Sequence, residues 1–133
     1  MAIVRRTGNV IVDLSFEFGI LIQRYCDKLI ALHRYSIANQ LSRSATSIGA
    51  NVAEAQSSES ASDFIHKMKI AQKEAHETEY WLKICKFSEG YEYDVVFEEQ
   101  LEAIIRVIGK IIHTTHIRTN APFWIKVNIT ISI

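Results

Sequence analysis

The sequence has no excess of either charge, no long apolar run and no cysteines at metal or redox spacing. Lys+Arg and Asp+Glu balance at 15 each, so no global basic field announces a polyanion or a membrane surface as partner. Any binding patch must therefore be local. No stretch approaches the roughly 20 apolar residues that span a bilayer. The start MAIVRRTGNV has two arginines but lacks the apolar run and small-residue cleavage site of a secretory leader. The chain is expected to be cytoplasmic, with no membrane partner. Cys26 and Cys85 sit far apart inside helical patterns with no CxxC or Cys/His cluster around them. Free buried thiols in a reducing compartment are expected.

Signs of catalysis are missing too. There is no phosphate-cradling glycine loop and no nucleophile elbow, and Ser57 and Ser58 have no His and Asp near them in a recognisable pattern. Metal-binding bundles place carboxylates and Glu-x-x-His pairs on facing helices. Here Glu74-x-x-Glu77, Asp63-x-x-His66 and His113-x-x-His116 fall at three unrelated heights, and none points inward by the periodicity. The expectation is a protein that is not an enzyme, with no catalytic residues, no metal and no cofactor.

What is present is helical pattern. The 133 residues, 48% hydrophobic and 23% charged, suit one soluble domain with a real core. The chain is organised around Gln40–Ala55. On a helix, Leu41, Ile48, Val52 and Ala55 share one face. Ala38, Ala45, Gly49 and Ala53 form a small-residue strip where a second backbone can come close. Arg43, Ser47, Asn51 and Glu54, with Gln40, form a polar strip expected to be a structural network.

Around it, the spacing predicts a first helix over about Val10–Tyr35 with a stripe of Leu14, Phe18, Leu21, Tyr25, Leu29 and Leu32. Phe16, Ile20 and Ile30 fall off that stripe. Ser36 is the expected cap of the second helix. A third helix is predicted over about Ser60–Ser88, where Ala61, Phe64, Met68, Ala71, Ala75, Thr78, Leu82 and Cys85 keep a strict three-four repeat. A fourth starts near Tyr93 or Asp94, with Phe97, Leu101, Ile104, Ile108 and Ile111 inward and with acids early and bases late, as the helix dipole favours. Ala121-Pro122 breaks the pattern. The expected architecture is all-α: an antiparallel up-down four-helix bundle over residues 1–120, with a C-terminal tail over 121–133 that is strand-like, an arm or irregular.

The third helix carries two further stripes. Facing away from the core are His66, Lys69, Lys73, His76, Tyr80 and Lys83, followed by Phe87. Basic residues interleaved with aromatics suit a phosphate backbone with accessible bases. They equally suit a solvated face with weak pairs to Glu77 and Glu79. Between that stripe and the core lie Ile70, Glu74, Glu77, Trp81 and Ile84, at positions a four-helix core is not expected to reach. Together with Phe16, Ile20 and Ile30 they are more apolar surface than one bundle hides, which marks them as oligomer-interface candidates. A partly buried Glu74 or Glu77 then needs a partner, for which Arg43 is the candidate.

Three segments resemble a known family. QLSRSATSIGANVAEAQ (Gln40–Gln56), FIHKMKIAQKEAHETEYWLKICK (Phe64–Lys86) and IIRVIGKIIHTTHIRTN (Ile104–Asn120) are similar, in order, to the signature blocks of the 23S-rRNA intervening-sequence protein family. The resemblance runs from about Val10 to Asn120. It matches at Arg43, Ser47, Asn51 and Glu54, and at Glu74, Glu77, Tyr80 and Trp81. It implies a left-handed four-helix bundle assembled as a ring-like homopentamer, in bacteria whose ribosomal RNA genes carry intervening sequences. A related branch, the accessory variability protein of diversity-generating retroelements, binds nucleic acid and a reverse transcriptase. Gly49-Ala50 replaces the family's proline-containing pair, and Ala55-Gln56 replaces its glycine stop. The functional expectation is a homo-oligomeric accessory factor that binds RNA or DNA. The alternative is an assembly scaffold for a protein partner, with no nucleic-acid role.

Overall fold

The computed structural model describes residues 6–120, most of them in four α-helices. These are α1 (Val10–Ala31), α2 (Tyr35–Ala55), α3 (Ala61–Phe87) and α4 (Val96–Asn120). No strand occurs among the described residues. Residues 1–5 of the lead-in and the expected tail, 121–133, lie outside them.

The helices close into a ring in which α1 packs on α2, α2 on α3, α3 on α4 and α4 on α1, while no diagonal pair brings Cα atoms within 8 Å. Neighbours run antiparallel, since residue numbers rise on one helix as they fall on the next. Asn9 reaches Gln56, Gln23 reaches Ser42 and Cys26 reaches Ala38 across α1 and α2. Glu54 meets Lys67 and Arg43 meets Glu77 across α2 and α3. Tyr25, late on α1, packs against Phe97, early on α4, with ring centroids 4.5 Å apart and the planes tilted by 43°. The fold is therefore the expected up-down four-helix bundle. Cys26 and Cys85 lie on the diagonal pair, too far apart for disulfide geometry. Both are free and buried, and burial pushes the Cys26 thiol up to about 12.

α2 and α4 carry the predicted core, and so does α3 from Met68 onward, whereas Ala61 and Phe64 at its start are half-buried and Ile65 is buried in their place. Leu41, Ile48, Val52 and Ala55 of α2 are buried, as are Met68, Ala71, Ala75, Thr78, Leu82 and Cys85 of α3 and Phe97, Leu101, Ile104, Ile108 and Ile111 of α4. α1 corrects the expectation. Its buried apolar set is Ile11, Phe18, Ile22, Tyr25, Cys26 and Leu29, whereas Leu14 and Leu21 are half-buried and Leu32 is exposed. Apolar residues occupy most sides of α1, so periodicity alone could not say which side would meet both α2 and α4.

The helix ends differ as well. α1 stops at Ala31, four residues short of the predicted end, in a Schellman motif. The Arg34 N–H donates to the Leu29 carbonyl at 2.8 Å and the His33 N–H to the Ile30 carbonyl at 2.9 Å. That geometry puts His33 in the left-handed region, φ +61°, where glycine or asparagine is usual. Ser36 is not the cap of α2, because Arg34 holds that position without a side-chain bond. Ser60 caps α3 by accepting from the Asp63 N–H at 3.0 Å. α4 begins at Val96, two residues late, with Asp94 Oδ1 accepting from the Val96 N–H.

Two contacts set how closely the helices approach. A Cβ at Gly49 would lie 3.3 Å from the Ser15 carbonyl oxygen, so α1 and α2 touch backbone to backbone there. Between α2 and α3 the buried hydroxyls of Ser44 and Thr78 lie 2.9 Å apart and back-bond to the Leu41 and Glu74 carbonyls. A polar pair inside the core is thereby hydrogen-bonded.

Candidate nucleic-acid interface

Small inward residues on α3 (Ala71, Ala75, Thr78) let it press against α2 and leave its opposite face clear. His66, Lys69, Lys73, His76, Tyr80 and Lys83 are all exposed on that face. Phe87 continues it at 80% exposure and Tyr80 is 57% exposed, both high for aromatics. Tyr80 meets the edge of Trp81 at 5.0 Å, and Lys86 Nζ stands 5.6 Å over the Phe87 ring. The three ammonium groups and two rings from Lys69 to Lys83 share one side of one rigid element.

The neighbouring stripe sits deeper than expected. Ile70, Glu74, Glu77 and Trp81 are half-buried and Ile84 is exposed. Trp81 packs against the hydrophobic core, which corrects the expectation that the core would not reach it. Its indole N–H donates to Glu77 Oε2 at 3.3 Å. Arg43 donates to the same oxygen at 2.9 Å and to Gln40 Oε1 at 3.3 Å. Both members of the Arg43–Glu77 pair are over a third exposed, so its net worth is at most about 1 kcal/mol. Elsewhere on the polar strip, the Asn51 amide donates to the Ser47 carbonyl of its own helix and Glu54 pairs with Lys67 at 3.1 Å. Arg43 and Glu54 thus tie α2 to α3, whereas Asn51 and Ser47 act within α2. Glu74 differs from Glu77. Its Oε2 is buried with no hydrogen-bond partner among the described residues, and burial, then the Glu77 charge, raises its pKa.

Sequence reasoning missed two grooves beside α3, because each needs α4 at a particular height. At the N-terminal end of α3, His116 and Thr119 of α4 join Ser62, His66 and Lys69 around a groove of about 390 Å³. At the C-terminal end, Glu79, Lys83 and Phe87 face Tyr93 and Glu102 around one of about 230 Å³. Beside this second groove Lys86 pairs with Glu98 at 2.8 Å and the Tyr93 hydroxyl donates to the same carboxylate at 2.9 Å. These hydrogen bonds hold Glu98 below the usual carboxylate range. The bond to Glu98, after burial, pushes the Tyr93 hydroxyl up.

A third groove, about 700 Å³, runs between α1 and α2. It is floored by Gly19, Gly49 and Ala53 and flanked by Phe16, which is 57% exposed, and half-buried Ile20. Of the other off-stripe residues, Ile30 is 46% exposed. Among the described residues no group of three or more His, Cys, Asp or Glu could hold a metal ion, and no helix is long and apolar enough to cross a membrane.

Comparison with known proteins places this geometry. The model of the 23S rRNA-intervening sequence protein family matches residues 8–114. A solved structure of a protein of unknown function, from the S23 ribosomal protein family of Bacteroides thetaiotaomicron VPI-5482, is 38% identical to this chain. It superposes with a TM-score of 0.74, and the match covers 79% of this chain and 96% of that one. No curated protein matches.

Proposed function

The chain belongs to the 23S rRNA-intervening sequence protein family, and from that membership and the face of α3 we propose that it is a non-enzymatic accessory factor that binds nucleic acid as a homo-oligomer. The observation that carries the reading is the exposed row of His66, Lys69, Lys73, His76, Tyr80 and Lys83. Net charge is zero, so affinity has to come from a local patch, and this row supports that reading. Lysines release counterions from phosphates, and the exposed rings offer surfaces for bases.

Fluorescence anisotropy of a labelled RNA, repeated across a salt series, tests it. Lys69→Glu with Lys73→Glu is expected to abolish binding at moderate salt, and Lys69→Gln combined with Lys73→Gln to reduce the salt slope by about 2. Unchanged affinity and slope in the double reversal would exclude the face.

A second reading is supported by the α1/α2 groove and the exposed Phe16: an assembly scaffold that contacts a protein partner or its own copies through apolar surface. Nucleic-acid binding and assembly use different sides of the bundle here, so the two are compatible.

A further inference from the structure

The two ends of the α3 face differ in chemistry. At the N-terminal end His66, Lys69 and α4's His116 surround one groove, with the hydroxyl of Ser62 as an additional donor. At the C-terminal end the exposed Phe87 ring and Lys83 border a groove whose opposite wall carries Glu102, with Glu79 beside them. The first groove has a lysine and no carboxylate, whereas in the second the three carboxylates of Glu79, Glu98 and Glu102 outnumber Lys83 and Lys86, so a phosphate favours the first. A nucleobase has the opposite preference: its flat face stacks on an aromatic ring, and its amino groups donate to carboxylates. Glu98 is already held by Lys86 and Tyr93, which leaves Glu79 and Glu102 as the acceptors on this groove.

We infer that the ligand is a single-stranded nucleic acid laid lengthwise along α3, its backbone gripped between His66, Lys69 and His116 and an unpaired base seated against Phe87 at the Glu79–Glu102 groove. The inference rests on the nucleic-acid reading above and narrows it. His66 and Phe87 are separated by about 31 Å of helix at 1.5 Å per residue, so several nucleotides lie between the two contacts. A duplex fits poorly. It presents phosphates along its whole length, including where the carboxylates stand, and it keeps its base faces inside the stack. Tyr80, exposed between the two ends and braced by Trp81, offers a second stacking surface on the path.

Anisotropy with three labelled ligands of equal length tests the assignment: a single-stranded RNA, its duplex, and an abasic strand carrying the same phosphates. The single strand is expected to bind at least tenfold tighter than either of the others. Tyr80→Ala with Phe87→Ala should lower single-strand affinity by about tenfold or more with the salt slope unchanged, because stacking releases few ions. Lys69→Gln with His116→Gln should instead flatten the slope. All four side chains are exposed, so circular dichroism should show every variant folded. Equal binding of strand and duplex, or an aromatic double variant that binds like the parent, overturns this inference and leaves the broader reading standing. Failure to bind any of the three at low salt overturns both.

Discussion

α1 and α3 are both long amphipathic helices, but they expose opposite things. α3 turns histidines, lysines and two aromatics to solvent and keeps its inward line thin and regular. α1 turns Val10, Phe16 and Ile30 outward and buries Asp13 and Ser15. The polar pair is buried with its bonds made. Asp13 accepts from Thr7 (N–H and hydroxyl) and from the Gly8 N–H, and Ser15 back-bonds to the Ile11 carbonyl at 2.7 Å. Exposed cations cost nothing in water, so the outward face of α3 is stable as it stands. Exposed apolar groups gain by being covered, so Phe16 on α1, like Phe87 at the end of α3, would be stabilised by a partner.

Two phenylalanines on α1 sharpen this contrast most. Phe18 is fully buried, and Phe18→Ala is expected to cost about 3–5 kcal/mol in urea unfolding. Phe16→Asp, two residues away, should change stability by no more than about 0.5 kcal/mol. If the α1 face is an oligomer interface, the same variant lowers the mass seen by light scattering. A large stability loss at Phe16 would show that its ring is part of the core after all.

Two glycines come next, both at the α1/α2 groove. Gly49→Leu drives a side chain into the Ser15 backbone and is expected to cost about 1–3 kcal/mol. Gly19 has nothing within 4 Å of a built Cβ, so Gly19→Ala should stabilise by up to about 1 kcal/mol through helix propensity. Thermal melts distinguish the signs, and two losses would mean that the groove is narrower than it stands.

The smallest effects are electrostatic and opposite in sign. Hydrogen bonds from Thr7 lower the pKa of Asp13, so its contribution is present above the ordinary carboxylate pKa and is lost as pH falls through the lowered value. Asp13→Asn should lower stability at neutral pH and flatten the acid limb. Glu74 is raised by burial, so its charged form is penalised at neutral pH and the penalty disappears on acidification. Glu74→Gln should therefore stabilise at pH 7, by less than about 1 kcal/mol, with the gain shrinking as pH falls through the carboxylate range. Melts of both variants from pH 7 to pH 3 check the two signs.

How legible each part was follows from the same contrast. α4 was read residue by residue and α3 from Met68 onward, because charged and apolar side chains segregate cleanly there; in the first turns of α3 Ile65, not Ala61 or Phe64, is the buried residue. α1 was read with its face rotated by about 50°: Phe18, Tyr25 and Leu29 were placed correctly, but Leu14 and Leu21 belong to a pattern as regular as that of Ile11, Ile22 and Cys26. Its end was missed because a histidine, rather than a glycine, takes the left-handed turn at His33. The outward basic row of α3 was visible from rotation alone. His116, Thr119 and Glu102 were not, because nothing local to α4 says which of its residues will stand beside the start or the end of α3.

The sequence alone determined the number of helices, their approximate limits and the outward face of α3, since all of these depend on spacing within one segment and on the cost of burying charge. Only the tertiary structure decided which side of α1 is inside, that Trp81 lies within reach of the core, that Glu77 takes two donors while Glu74 takes none, and that α4 brings His116 beside His66 and Lys69 at one end of α3 and Glu102 beside Phe87 at the other. These depend on the rotation and height of one helix against another. Many side-chain contacts settle both together, and no single segment contains the information.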